Sequence, residues 1–373
     1  MRIAHSAINA RRMTAAAGAA GIFVLIAACG NSTPSTSTNS SSSSSSNSSS
    51  SASAINGAGS TFAAPMYQQW AGQYHQNVKK NVQINYQAIG SGGGISEFSQ
   101  GVVDFGASDA PMSSTEQAAA QAGQGSVVLH IPMIIGAVAV SYNEPGLKSF
   151  KLDGPTLASI YLGKITKWND PAIKKLNAGV TLPSDAIQVV ERGDSSGTSF
   201  AFTSYLSGQS PAWASQVGAS KSPSWPVGTG ANGTSGVAAA IQQTKGAIGY
   251  VEYGYAVQGH IPFASMVNAS GQTVTPSTAS TNIASAAATY PTDPAKLTFS
   301  LVNSHASGAY PIVTPTYVLI SQTQKDKAKA AALKAWLTWD LQTAQQSKVP
   351  SLGYAPLPSK LDQLALTALG TVH

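Results

Sequence analysis

The sequence predicts an α/β fold with largely parallel sheets, and three observations carry that reading. Apolar, β-branched runs alternate with runs of helical spacing, glycine-flanked turns join one to the next, and no internal repeat breaks the pattern. Some 320 residues, about twice what one core usually supports, follow Ile55, so two domains are expected.

The elements follow in order. Residues 82–88 alternate apolar and polar side chains as a strand, and residues 90–94 then open a short helix over 95–100. Residues 102–107 form a second apolar strand. Ser113 and Ser114, followed by Glu116 and Gln117, start an alanine-rich helix as a capping box. Residues 127–142 are long, apolar and β-branched, which reads as one or two buried strands. A strand over 187–190 runs through a glycine-flanked turn into a helix over 198–206, and residues 247–252 form a further strand. Leu333, Trp336, Leu337 and Leu341 place the longest helix at 325–346, whereas the Ser-, Thr-, Asn- and Ala-rich residues 266–308 read as surface loops with short elements.

The N-terminus says where the protein works. Arg2, Arg11 and Arg12 precede an uncharged run over residues 15–28, which ends Leu25-Ile26-Ala27-Ala28-Cys29. A positive start, a short apolar stretch and small residues before the cut make a secretory signal over residues 1–28, too short to span a bilayer permanently. Cys29 is the only cysteine, so the exported chain forms no internal disulfide. The cut resembles the bacterial lipobox, which implies a lipid (palmitate) on Cys29 and an extracytoplasmic, membrane-anchored protein in the periplasm or at the cell surface. Residues 29–54 are nearly all serine with Thr, Asn, Pro and Ala, a composition that cannot offset its ordering entropy and behaves as a flexible tether. Losing the leader removes three of 21 basic residues and no acid, leaving 18 against 15, a balance of +3. No dense basic stripe exists, which argues against a nucleic-acid partner.

The chemistry-bearing residues gather in four segments. Gly57-Ala58-Gly59-Ser60-Thr61-Phe62, with Pro65 beyond it, leads into a helix carrying Met66, Trp70 and Tyr74 on one face. Gly90-Ser91-Gly92-Gly93-Gly94 stands between a strand and a helix, as does Arg192-Gly193-Asp194-Ser195-Ser196-Gly197-Thr198. Each offers hydroxyls and unencumbered backbone N–H groups at a helix start, where the dipole attracts an anion. The fourth segment, around Asp109, supplies a carboxylate at a strand end. Residues 228–236 form another glycine-rich helix start, read as a cap rather than a cleft lining.

Gly193-Asp194-Ser195-Ser196-Gly197 also fits the G-x-S-x-G elbow of serine hydrolases, with His260 or His305 as nominal bases. Neither histidine sits in a recognisable acid/His setting, and an arginine before the turn suits anion capture better, so a non-enzyme is expected. A P-loop is absent, and one thiol without clustered histidines supports neither metal nor cofactor. A non-transport anion sensor is the other alternative.

The stretches GAGSTFAAPMYQQWAGQY, YQAIGSGGG, VDFGASDAPM, IYLGKITKWNDPAI, ERGDSSGTSFAFTSYL and GAIGYVEYGYA stand in one order between residues 57 and 357. In that order and spacing the chain resembles the PstS-type phosphate-binding proteins of bacterial ABC transporters. The resemblance implies a two-lobed type 2 periplasmic binding protein fold hinged between lobes, with lobe I at 55–136 plus 312–373 and lobe II at 137–311. It implies extracytoplasmic binding of inorganic phosphate and delivery to the transporter's permease and ATPase. The contacts it implies are Thr61, Phe62, Ser91, Asp109, Arg192, Ser196, Gly197 and Thr198, with Asp194 supporting Arg192. Gly193 and Ser195 differ from the commonest family residues in their turn, and three glycines follow Ser91.

Overall fold

The longest apolar run in the sequence becomes one strand, and the rest of the fold is arranged around it. Val128–Asn143 is 16 residues long and buried as far as Tyr142, because every part of it is paired in the sheet and packed into the core. The structure, a computed structural model, describes residues 53–373; the expected leader, Cys29 and most of the tether expected over 29–54 lie outside the described residues, while Ser53 and Ala54, expected in that tether, pair with Val82 and Gln83 and so open the first strand. The strands are β1 Ser53–Gly59, β2 Val82–Ala88, β3 Phe105–Ser108, β4 Val128–Asn143, β5 Lys151–Leu152, β6 Gln188–Arg192, β7 Thr229–Ala231, β8 Ala247–Glu252, β9 Ser265–Val267, β10 Thr273–Val274 and β11 Val313–Ser321. Among the helices, α1 Ala64–Asn77, α2 Ser91–Ser99, α3 Ser114–Gln124, α4 Gly154–Tyr161, α5 Pro171–Leu176, α6 Gly197–Gln209 and α7 Pro211–Gln216 precede α8 Gly233–Gln243. After it come α9 Tyr253–Gln258, α10 Thr278–Ala286, α11 Lys327–Asp340, α12 Thr343–Gln346 and α13 Ser359–Gly370. None of these helices is long and apolar enough to cross a membrane.

Eight strands form one sheet in the order β2-β1-β3-β11-β4-β8-β6-β7. Its outer parts are parallel, as expected: β1 with β2 and β3, and β6 with β7 and β8. Its centre is antiparallel, because β11 returns between β3 and β4, and β4 opposes β8. Buried strands read as continuous apolar runs whichever way they point, so their direction was not legible. The β4 strand serves two sets of partners: residues 128–137 pair with β11, and residues 138–143 pair with β8. At that changeover Val138 N–H donates to the Ile312 carbonyl at 2.8 Å. Two chain segments therefore cross side by side from one half of the molecule to the other, the arrangement of a hinge.

Several local expectations shift. The α2 helix begins at Ser91, so its glycines lie inside the first turn, where a Cβ on Gly94 would strike the Ala58 carbonyl and Gly59. The β3 strand starts at Phe105, since Val102 is exposed. The helix expected over 325–346 stops at Asp340 and restarts at Thr343, which leaves α11 no longer than α1 at 14 residues each. Tertiary partners capture the break: the Gln346 amide donates to the Met133 and Asp340 carbonyls. Residues 266–308 are more than surface loops, for Leu297 and Leu301 are buried. The capping box at Ser113 and Glu116 forms as expected.

Aromatic side chains fill both halves behind the helix starts. Phe202 stacks on Tyr250 at 4.3 Å under α6, and Phe105 meets Trp336 at 5.3 Å under β1 and β3. Such pairs add about 0.5–1.5 kcal/mol each beyond burial, which stiffens the platforms from which the turns project.

Candidate anion-binding site

The first turn leaves β1 at Gly59, whose φ of 140° and closeness to the Ala107 carbonyl admit no side chain. Ser60 N–H donates to the Ala107 carbonyl at 2.9 Å, and Ala63 N–H donates to Ser60 Oγ at 3.0 Å. The two amides between them, Thr61 N–H and Phe62 N–H, find no acceptor among the described residues. Phe62 is fully buried and Thr61 nearly so. Buried backbone donors without partners are costly, so this turn is built to hold them for something else.

Ser91 opens α2. Its Oγ accepts from Asp109 N–H at 3.2 Å and from Gly197 N–H at 3.0 Å. With both lone pairs engaged, its own proton is free to donate. Gly197 belongs to the other half of the molecule, as does Ser195, whose carbonyl accepts from Gly92 N–H at 2.9 Å. The start of α6 thus docks against the start of α2. Ser196 caps α6 by accepting from Ser199 N–H at 3.1 Å, and Thr198 Oγ1 is buried with no partner. A Cβ on Gly197 would lie 2.7 Å from both Asp109 N and Asp109 Cβ. Gly197→Ala, harmless to helix propensity, is therefore expected to hold the halves apart. Its ligand-free melting temperature should stay within a few degrees of the parent's while anion affinity falls at least tenfold by calorimetry.

Arg192 ends β6 with its side chain 2% exposed. Nε and a terminal nitrogen grip the Asp194 carboxylate at 2.6 and 2.5 Å, a bidentate pair that fixes the guanidinium plane. Gly233 N–H donates to the same carboxylate at 3.0 Å. Burial alone would raise the Asp194 pKa, but hydrogen bonding and charge from Arg192 outweigh it and hold the carboxyl below its usual range.

Asp109 faces this group from the other half. It is 2% exposed and accepts the Ser60 hydroxyl proton, while its carbonyl accepts from Thr314 Oγ1 at 2.7 Å. Burial pushes its pKa up to about 7, against the pull of the Ser60 hydrogen bond and the Arg192 charge. Hydroxyl and amide donors, one compensated cation and one carboxylate kept from water therefore meet, buried, between two halves. Such a set of groups suits a tetrahedral anion, provided the ligand brings a proton for Asp109.

The sequence-derived residues Thr61, Phe62, Ser91, Asp109, Arg192, Ser196, Gly197, Thr198 and Asp194 all fall in this region. Residues 228–236 are corrected: Asn232 makes no side-chain cap at α8, and the helix start lines the cleft instead. Thr234 Oγ1 lies 3.0 Å from Thr61 Oγ1, and Thr234 N–H donates to that oxygen at 3.1 Å. The hydrolase alternative fails in the structure, since His260 and His305 are both exposed and neither partners Ser195. Sequence reading missed Ser60 and the Lys221–Glu116 ion pair, which joins the halves at 2.5 Å. Ser60 sits inside a segment already singled out; nothing local marks the ion pair.

A hinged pair of α/β halves with helix starts aimed into the cleft defines the class of solute-binding proteins, and a family model described as the PBP superfamily domain matches residues 38–342. The chain is 42% identical over 309 residues to the phosphate-binding protein PstS of Xylella fastidiosa, covering 82% of each chain. It is 37% identical over 370 residues to phosphate-binding protein PstS 3 of Mycobacterium tuberculosis, covering 97% of this chain and 99% of that one. A solved phosphate-binding protein from Stenotrophomonas maltophilia shares the fold with a TM-score of 0.66 at 22% identity, covering 84% of this chain and 93% of that chain. The chain belongs to the PstS family of phosphate-binding proteins within the PBP superfamily.

Proposed function

We propose that this chain is an extracytoplasmic receptor for inorganic phosphate, lipid-anchored through Cys29. It closes two lobes on the ligand, residues 55–136 with 312–373 and residues 137–311, and delivers it to the permease and ATPase of an ABC transporter. It is a binding protein, not an enzyme. The single observation that carries the reading is the convergence of unpartnered donors from both halves on one buried carboxylate. The Thr61 and Phe62 amides and the Ser91 and Thr198 hydroxyls are free neutral donors, the Ser196 and Gly197 N–H groups beside them at the α6 start are held by the Lys221 carbonyl and Ser91 Oγ, and Arg192 offers charge held in place by Asp194. Asp109 accepts the proton that phosphate keeps near neutral pH.

The magnitudes agree. Each charge-assisted hydrogen bond contributes roughly 1.5–3 kcal/mol, about eight are on offer, and association costs about 4–15 kcal/mol. A micromolar or tighter constant, about −8 kcal/mol or better, is within reach without a counter-cation. Closure works through the paired crossings at residues 137–138 and 312–313, with the Thr61–Thr234 and Ser91–Gly197 contacts forming as the lobes meet.

Calorimetric titration of phosphate-stripped protein with phosphate, arsenate and sulfate tests this. At pH 8, above the Asp109 pKa of about 7, phosphate and arsenate should bind and sulfate should not. Equal affinity for sulfate, or no heat with phosphate, would reject it.

A further inference from the structure

Three tyrosines that play no part in the ligand contacts proposed above reach consecutive carbonyls of the first turn. Tyr86, on β2, donates from its hydroxyl to the Ser60 carbonyl at 2.8 Å. Tyr255, on α9, donates to the Thr61 carbonyl at 3.4 Å, and Tyr354 donates to the Phe62 carbonyl at 2.5 Å. We infer that Tyr86, Tyr255 and Tyr354 are positioning residues for the anion, holding these three carbonyls away from the cleft so that the Thr61 and Phe62 N–H groups face it. The inference rests on the phosphate-binding reading of the same turn.

Peptide geometry supplies the reason. In a planar trans peptide the C=O and the N–H point in opposite directions. Fixing the Ser60 carbonyl therefore aims Thr61 N–H, and fixing the Thr61 carbonyl aims Phe62 N–H. An amide whose carbonyl accepts a hydrogen bond is also a better donor at its nitrogen, by about 10–30% per bond. Fixing the Phe62 carbonyl orients Ala63 N–H, which donates to Ser60 Oγ and so holds the hydroxyl that serves Asp109.

The surroundings are shaped to seat these phenols. Gly136 on β4 leaves the room that the Phe62 and Tyr354 rings occupy, for a Cβ there would lie 2.5 Å from Phe62 and 3.3 Å from Tyr354. Gly353, with φ of 89°, brings the chain before Tyr354 against Gly254. Glu252 caps α9 by accepting from the Gly254 and Tyr255 N–H groups, which sets the helix that carries Tyr255. Burial raises the pKa of all three phenols, so each keeps the proton it must donate. Tyr86 and Tyr354 come from the same half as the turn. Tyr255 comes from the other, so its hydrogen bond requires the halves to be together.

Tyr→Phe variants test this, because they remove one oxygen and keep the ring. Tyr86→Phe and Tyr354→Phe should each weaken phosphate about threefold to tenfold by calorimetry, and Tyr255→Phe should act mainly by faster release in stopped-flow. In ¹⁵N-labelled protein with phosphate, the Thr61 and Phe62 amide resonances should move in each variant. Tyr290→Phe, which removes a hydroxyl bonded to Ser285, should leave affinity and those resonances unchanged. Variants that lower the ligand-free melting temperature yet bind phosphate like the parent would overturn the inference, as would unmoved Thr61 and Phe62 resonances. A parent protein that takes no phosphate overturns the functional reading itself, whereas a parent that binds and a triple variant that binds equally overturn this inference alone.

Discussion

Arg192→Ala is expected to raise the phosphate dissociation constant by two to three orders of magnitude. The guanidinium is 2% exposed and paired with Asp194, whose side chain is 19% exposed, so the substitution removes a full positive charge from the site and leaves the half-buried Asp194 carboxylate partly uncompensated. Each charge-assisted hydrogen bond lost to the anion is worth roughly 1.5–3 kcal/mol, so two of them at about 1.4 kcal/mol per tenfold give that range. Arg192→Lys should recover only part of the loss, because a point charge cannot grip Asp194 with two parallel hydrogen bonds. Isothermal titration at fixed ionic strength reads both variants. Near-parent affinity in Arg192→Ala would remove Arg192 from the binding site.

Asp109→Asn is expected to collapse the preference for phosphate over sulfate by at least about a hundredfold. The carboxylate can accept a proton from phosphate, whereas a sulfate would face it with no hydrogen between two desolvated anions. Asparagine keeps the shape and can donate to a bare oxygen, so sulfate affinity should appear while phosphate affinity falls modestly. Competition calorimetry with the two anions measures the ratio, and an unchanged ratio would deny Asp109 its selective role.

The parent should show the same effect through pH. With its pKa pushed up to about 7, Asp109 gains an O–H below that value and can then donate to sulfate. Sulfate binding should therefore strengthen as pH falls from 8 to 5 in the parent and stay flat in Asp109→Asn. Stability follows the sign of the shift. A carboxyl that holds its proton more tightly folded than unfolded, where it titrates near 3.8, stabilises the protein fully below about pH 4. That contribution is lost as pH rises through 7. Glu252, pushed by burial to about 8, acts in the same direction, so only the difference between parent and Asp109→Asn melting curves isolates Asp109.

Much of the candidate site was legible in the sequence, because a helix start announces itself locally. Pro65 before an amphipathic run, Ser196 three residues before Ser199, and glycines wherever two backbones approach are signals within one turn of chain. The serine and glycine of residues 90–94 were legible as donors, although α2 begins four residues earlier than expected because Gly94 passes the β1 backbone. The mixed centre of the sheet was not legible, since apolar runs carry no arrow. The meeting of Thr234 with Thr61 was not legible either, because the two lie 173 residues apart.

By itself the sequence determined the inventory: a lone cysteine, a serine-rich stretch, hydroxyl- and glycine-rich helix starts, one arginine beside an acid, and one carboxylate at a strand end. Tertiary structure decided which of these meet. It placed β11 between β3 and β4, set Ser60 against Asp109, brought Thr234 to Thr61, and gave three consecutive carbonyls to Tyr86, Tyr255 and Tyr354. Periodicity and capping act over two to four residues, whereas these partners lie 26 to 292 residues apart, and only the packing of two halves around a shared strand brings them within hydrogen-bonding distance.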